Sequence, residues 1–374
     1  MDFSERALKS AIKRRGKIEI ALKVKIKNRE DLSTYYTPGV AAVSLEVAKN
    51  KERVFELTNK GNSIAVVSDG TSVLGLGDIG PEAALPVMEG KCLLFKELAG
   101  IDAFPIVLGT KNVDEIVSIV KAIAPSFGGI NLEDIAAPAC FEVEEKLQNI
   151  SIPVFHDDQH GTAVVVSAAL INALKVVGKK ISDIKVVIFG AGAAGIATAK
   201  LIKPGCLVMV DSRGPINETR KDINKYKKEI TQLKNYFQAS SLEEAFEATD
   251  VFIGVSGRGR VTSELIKRMN PDPIIFALSN PNPEILPKNA KAAGAAIVAT
   301  GRSDFPNQIN NILAFPGIFR GALDSHAKGV NLKMKLKAAE VLAGMITKPT
   351  PNKILPSPLD KNVVKTISKA IVSL

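Results

Sequence analysis

Glu133 and Asp134 stand side by side in GGINLEDI, and Asp157 and Asp158 follow in PVFHDDQHGTA. Carboxylates this concentrated cannot share a pocket unless a cation neutralises them or one of them holds a proton. Their oxygens are hard ligands suited to Mg²⁺ or Mn²⁺. A glycine-rich run, FGAGAAG, comes next in the chain. It follows the apolar strand KVVIF and opens the helix IATAKLI, the context in which a G-x-G-x-x-G turn receives a pyrophosphate. The expected cofactor contacts are Gly190, Gly192, Ala193, Ala194 and Gly195. Asp211 closes the following strand, CLVMV. It should accept hydrogen bonds from the adenosine ribose hydroxyls, which favours NAD, while Arg213 nearby could admit the 2′-phosphate of NADP. A redox cofactor beside a divalent metal points to hydride transfer on a small oxygenated acid.

Two patterns compete with this reading. Gly75, Gly77 and Gly80 form a second G-x-G-x-x-G in LGLGDIG, but Pro81 cuts it short and no acidic residue closes a following strand. It reads as a turn that lets backbone approach a ligand or partner. His156 and His160 have the HxxxH spacing of zinc sites, which works when both imidazoles share one helical face. Pro153, Val154 and Phe155 place residue 156 at a strand end instead. Glu133 and Asp134 would face opposite ways within a regular strand, so both can ligate one ion only if the strand stops there.

Short apolar runs alternating with amphipathic stretches predict βαβ units with a parallel sheet. Strands are expected at 64–67, 104–108, 129–132 and 153–155, with helices at 86–98, 112–123 and 138–147. A long helix, 161–177, should bridge to a doubly wound dinucleotide-binding domain with strands at 184–189, 206–210, 251–254, 274–277 and 296–299. Amphipathic helices at 332–345 and 362–373 end the chain. The expected domains are residues 1–155 and 156–374. The chain of 374 residues is 46% hydrophobic and 24% charged, ordinary for a globular protein. Its net charge of +10 raises nucleic-acid binding, but basic residues are spread from end to end, aromatics make up 5% and Trp is absent. A basic enzyme attracting a dicarboxylate and a phosphate-bearing cofactor accounts for the charge. Cys92, Cys140 and Cys206 are isolated in apolar contexts and read as buried thiols. The longest apolar runs fall short of the ~20 residues of a bilayer helix, and the N-terminus lacks an apolar signal region. A cytoplasmic location is expected, with neither membrane nor nucleic acid as partner.

The chain resembles the short microbial form of malic enzyme along nearly its whole length. The stretches that carry the resemblance are YYTPGVA, SDGTSVLGLGDIGP, MEGKCLLFKELAGIDAFPI, INLEDI, VFHDDQHGTA, FGAGAAG, ALSNP and NQINNILAFPGIFRGALD. The resemblance implies an N-terminal α/β malic-enzyme domain followed by a Rossmann-type NAD(P)-binding domain. It implies oxidative decarboxylation of malate to pyruvate and CO₂, with Tyr36 as acid and Lys91 as base. The metal ligands it implies are Glu133, Asp134 and Asp158, with Asp157 an auxiliary carboxylate near Lys91. Asn280 and Asn310 or Asn311 are implied to hold substrate, Asn280 also lying on the cofactor side. Larger malic enzymes carry an Arg before the LGLG motif to grip a substrate carboxylate. Ser72 stands there in this chain, so another basic group or a partner subunit must supply that charge. Lys91 can act as base only if its pKa falls, which a divalent cation and burial would bring about. Long apolar helices at both ends point to a homodimer. The rivals are malolactic or oxaloacetate decarboxylation without net NADH release, a noncatalytic NAD-sensing or nucleic-acid-binding protein, and a metal-independent dehydrogenase of amino acids.

Overall fold

The computed structural model describes residues 3–73, 75–256 and 261–374; Leu74 of the first glycine-rich stretch lies outside them. Four short helices lead the chain: α1 (Phe3–Arg14), α2 (Arg29–Tyr35), α3 (Val40–Lys49) and α4 (Val54–Leu57). None of the four contains a buried residue. The first sheet begins after them. Its strands β1 (Ser63–Ser68), β2 (Asp102–Val107), β3 (Gly129–Leu132) and β4 (Val154–His156) lie in the order β2-β1-β3-β4, all parallel. Every residue of β1 is buried, as a central parallel strand covered on both faces requires. The crossovers are α5 (Pro81–Ala99), α6 (Val113–Ile123) and α7 (Ala139–Leu147).

Helix α8 (Asp157–Val177) links the two sheets. It starts four residues earlier than expected from Gly161, which by its poor helix propensity looked like a boundary. His156 caps it, its Nδ1 accepting from the Gln159 N–H at 3.3 Å, and the acidic Asp157 and Asp158 suit the positive end of the helix. Among the described residues α8 is the one helix long and apolar enough to cross a membrane, yet 67% of its apolar window is buried inside the fold. It is a core helix.

The second sheet has the order β10-β9-β8-β5-β6-β7. Its strands are β5 (Lys185–Phe189), β6 (Cys206–Asp211), β7 (Gly214–Pro215), β8 (Val251–Gly254), β9 (Ile274–Ala277) and β10 (Ile297–Thr300). All pair in parallel except the short antiparallel edge β7. The order reverses between β5 and β8, and ligands of such sheets bind outside the strand ends at that point. Helix α9 (Ala193–Ile202) follows β5, and α10 (Lys225–Thr231) packs against α9. The C-terminal helices Leu332–Gly344 and Asn362–Val372 match expectation to within a residue. The helix Phe315–Asp324, which the sequence pattern had not marked, ties the chain's end to the first sheet. Its Phe315 and Phe319 meet Phe95 edge-on at 4.7 and 5.4 Å, and Phe319 meets Phe155 at 5.8 Å.

Candidate active site

β3 stops at Leu132, and Asp134 takes a left-handed conformation with φ 54°. That single residue breaks the alternation of the strand, so Glu133 and Asp134 turn to one side. Asp158, on the first turn of α8, accepts from the Asp134 N–H at 2.9 Å. Ligand oxygens of Glu133, Asp134 and Asp158 thereby lie within 4.8 Å of one another. At an effective dielectric of about 20, two like charges at that distance repel by roughly 3 kcal/mol. Three such pairs rival the ~5–15 kcal/mol that holds a typical domain together. The cage must therefore take up protons or a cation. Three convergent hard oxygens fit a divalent ion such as Mg²⁺ or Mn²⁺.

Lys91 projects from α5 into the edge of this cage. Its Nζ lies 2.6 Å from Asp157 Oδ2 and 2.8 Å from Glu133 Oε1, all three side chains being buried. The ammonium also sits 4.1 Å from the Phe315 ring centroid, a cation–π contact the sequence had not signalled. The carboxylates beside Lys91 set the direction of its shift. Burial pulls its pKa down, but Asp157 and then Glu133 outweigh it and hold the ammonium well above its ordinary range. The carboxyls of Glu133, Asp157 and Asp158 are themselves pushed up, first by burial and, for Glu133 and Asp157, by a neighbouring carboxylate. Both tendencies follow from one imbalance: a single ammonium faces more negative charge than it can neutralise. Asp157 Oδ1 is buried with no hydrogen-bond partner among the described residues.

Gly161 follows from the same crowding. A Cβ there would stand 1.7 Å from Asp157 Oδ1 and 3.2 Å from Asn311 Cβ, so only glycine leaves room for the carboxylate. Asn131, absent from the expected set, donates its Nδ2 to Glu133 at 2.8 Å. Glu144 was missed as well, since in CFEVEEKL it resembles a solvated helix face. It is buried, and accepts from the His156 N–H at 3.1 Å and from Gln159 Nε2 at 3.2 Å, while His160 Nε2 lies 2.8 Å away. It thus braces the turn that carries Asp157 and Asp158. Burial opposes its ionisation, yet His160 outweighs burial and brings the carboxyl down to about 2. His160 faces Glu144 and His156 caps α8, so the two imidazoles serve structural partners. A cavity of about 240 Å³ borders Glu144, His160 and Lys335 and includes none of the three cage carboxylates.

The three glycines of the G-x-G-x-x-G turn meet different surroundings. A Cβ on Gly190 (φ 126°) would meet Val255 O at 2.7 Å, and one on Gly195 would meet Gly190 O at 1.8 Å. A Cβ on Gly192 would meet nothing within 4 Å, which leaves its backbone open to approach. The turn, with Ala193 and Ala194 opening α9, lies at the switch point of the sheet. Of the three decoy glycines, Gly75 makes a close approach, while a Cβ on Gly77 or Gly80 would meet nothing within 4 Å. A Cβ on Gly75 would stand 2.4 Å from Asn280 O, so the first glycine loop touches the ALSNP strand end directly. Asn310 is spent on capping, its Oδ1 accepting from the Ile312 N–H at 3.0 Å, whereas Asn311 borders the Asp157 turn. Asp211 ends β6 as expected, but its carboxylate is engaged by Arg220 and Lys227. Tyr36 closes α2, and 65% of its surface is exposed. Ser72 is exposed, its N–H donating to Asp134 O at 2.9 Å. The thiols of Cys92 and Cys140 are buried, and burial pushes Cys92 up to about 12; Cys206 is partly covered.

Residues 159–373 match the family described as malic enzyme, NAD binding domain, and residues 15–112 and 109–148 match malic enzyme, N-terminal domain. The chain is 52% identical over 379 residues to a bifunctional malic/malolactic enzyme of Bacillus subtilis, covering 99% of this chain and 92% of that one. It is 54% identical to an NAD-dependent malic enzyme of Geobacillus stearothermophilus, covering 96% and 76%. Among solved structures, an NAD-dependent malic enzyme of Thermotoga maritima superposes with a TM-score of 0.95 at 49% identity, covering 98% of each chain. With the carboxylate cage, the Lys91 wedge and the glycine turn in one fold, the chain belongs to the malic enzyme family.

Proposed function

We propose that this protein oxidatively decarboxylates (S)-malate to pyruvate and CO₂, passing hydride to NAD(P)⁺ with the help of a divalent metal. It does so as a cytoplasmic homodimer whose two domains divide at residues 155 and 156. The observation that carries the reading is the position of Lys91 against Glu133. The carboxylate suited to hold the cation is the same one that holds the ammonium, so metal binding and proton transfer are coupled in one residue.

Glu133, Asp134 and Asp158 would hold Mg²⁺ or Mn²⁺, which supplies Lewis acidity for loss of CO₂ from the β-keto acid. Lys91 takes the C2 hydroxyl proton, for which it must be neutral. Committing Glu133 to a cation withdraws one of the two carboxylates that keep Lys91 protonated, and burial then works in the required direction. Asp157, hydrogen-bonded to Lys91 at 2.6 Å, orients the amine and stabilises its charge once the proton arrives. Gly190, Gly192, Ala193, Ala194 and Gly195 cradle the pyrophosphate. Asn280 and Asn311 orient the substrate at the mouth of the sheet. Tyr36 delivers the proton to C3 of enolpyruvate.

The test is a malate assay with NAD⁺ and NADP⁺ in parallel, with and without Mn²⁺, following absorbance at 340 nm and pyruvate. Both signals should appear together and vanish with EDTA. Turnover that survives EDTA would overturn the metal-dependent reading. A second reading, malolactic conversion in the same pocket, is favoured by the bifunctional malic/malolactic relative. It predicts lactate with no net gain at 340 nm.

A further inference from the structure

The cavity of about 240 Å³ beside Glu144, His160 and Lys335 takes no part in the malate chemistry. It is walled by α7 of the first sheet, by α8, by α9 and α10 of the second sheet, and by the helix Leu332–Gly344. Much of the wall is hydrocarbon. Phe141, Ile196, Leu201 and Tyr226 line it, with the Phe141 and Tyr226 ring centroids 4.4 Å apart. The polar groups on the wall are nearly all engaged. Glu145 accepts from the Tyr226 hydroxyl at 3.2 Å and lies 3.4 Å from Lys225 Nζ, and Lys200 Nζ donates to Glu229 at 2.7 Å. Glu144 already serves the His156 N–H, Gln159 Nε2 and His160 Nε2.

Lys335 is the exception. Its ammonium makes no hydrogen bond and no close ion pair with any described residue, so its donors are all still to be satisfied. Burial lowers its pKa, and the attraction of Glu144 opposes that effect without cancelling it. A cation beside hydrocarbon walls is costly to desolvate unless a partner meets it. An anionic head on a small hydrocarbon body answers both features, the head pairing with the ammonium and the body covering the rings. Drug-sized ligands occupy clefts of roughly 300–1,000 Å³, so a cavity of about 240 Å³ suits a smaller body, such as a single ring. A dicarboxylate such as malate is a poor match, since its second charge would face Glu144 or the hydrocarbon wall.

We propose that this cavity is a second binding site, separate from the malate pocket, for a compact monocarboxylate with an apolar body. Its head pairs with Lys335, and its body lies against Phe141, Ile196 and Tyr226. A molecule bound there touches helices of both sheets. Through Glu144, which holds the His156 N–H at 3.1 Å, it also adjoins the turn that carries Asp157 and Asp158.

The experiment is calorimetric titration of the Mn²⁺-loaded enzyme with benzoate and with benzamide, which has the same ring and no charge. Saturating oxalate, a chelator of Mn²⁺, is present throughout to occupy the carboxylate cage. In the wild type, benzoate should bind about tenfold to a hundredfold more tightly than benzamide, and rising salt should erode the difference. K335M keeps the length of the side chain without its charge, and there the two compounds should bind alike. A197L fills the cavity from α9 and should lose both compounds, which tests the site on its own should K335M fail to fold. Equal binding of benzoate and benzamide by the wild type, or an undiminished preference in K335M, overturns the site. Benzoate binding that oxalate abolishes would place the compound in the malate pocket and overturn it as well.

Discussion

At the scale of single residues, the site is governed by a surplus of negative charge around one ammonium. Lys91 is pulled upward by Asp157 and Glu133 while the carboxyls are pushed upward by burial. The resolution is a cation, and it makes a prediction that separates catalysis from folding. Asp158→Ala removes a ligand and two of the three repulsive pairs in the cage. Mn²⁺ affinity should fall by more than the roughly 10- to 100-fold typical of an outer-shell partner, and malate turnover should fall with it. NAD⁺ should still bind. The melting temperature of the metal-free variant should equal or exceed that of the metal-free wild type, because like charges have been separated. Calorimetry and thermal unfolding in EDTA check the two halves, and unaltered Mn²⁺ affinity would remove Asp158 from the ligand set.

At the scale of elements, the first turn of α8 carries most of the chemistry and the features that hold it. Gly161 exists for the Asp157 carboxylate one turn before it. Gly161→Ala should therefore gain about 0.5–1 kcal/mol of helix propensity and still damage the enzyme. Steady-state kinetics should show kcat lowered by about tenfold or more, since Asp157 can no longer meet Lys91 where it does. An unimpaired kcat would mean the carboxylate finds another place. The same turn sets a pH dependence. His156 is fully buried, and burial brings its pKa down to about 4 against an ordinary value of 6.5. A basic group with a lowered folded-state pKa binds its proton in the unfolded chain first. Stability is then complete above pH 6.5 and declines as pH falls from 6.5 towards 4, by a total of about 3 kcal/mol. Glu144 adds the opposite kind of group with the same outcome: its carboxyl, lowered to about 2 from 4.5, contributes stability above pH 4.5 that is lost as pH falls through that window. Chemical denaturation between pH 7 and pH 5 should show the histidine component, and His156→Asn, whose Oδ1 replaces Nδ1 as the capping acceptor, should flatten it. A slope unchanged in that variant would assign the effect elsewhere.

At the scale of the whole molecule, the first four helices stand out. None of their residues is fully buried, and Phe3, Ile20 and Leu22 on this stretch are each more than 80% exposed. Side chains of this kind gain about 1.5–3 kcal/mol each when covered, and large apolar side chains exposed along one stretch suit an interaction site. A second copy of the chain is the occupant proposed above. I20E/L22E should shift sedimentation from dimer to monomer at micromolar concentration while circular dichroism stays unchanged. A variant that remains dimeric would place the interface on another face. Tyr36 lies on the same uncovered stretch, so the surroundings of its hydroxyl depend on what packs there.

The sequence by itself determined the parallel sheets, because apolar runs bounded by turn residues leave few other options. It also determined the glycine turn, whose strand before and helix after are local facts, and the identity of the carboxylates. Element ends were legible to within a few residues, except where Pro86 and Gly161 imitated helix starts that lie at Pro81 and Asp157; the true role of Gly161 depends on a carboxylate that folds onto it. Only the tertiary structure decided how charges pair. That Glu133 and Asp134 face one point depends on a single left-handed residue, and that Lys91 meets Glu133 depends on α5 packing over β1 and β2. Glu144 looked like a solvated charge because its partners come from another part of the chain. Local patterns fix what backbone geometry and hydrophobic burial dictate over a few residues. Electrostatic partnership is set by distance in space, which no spacing along the chain records.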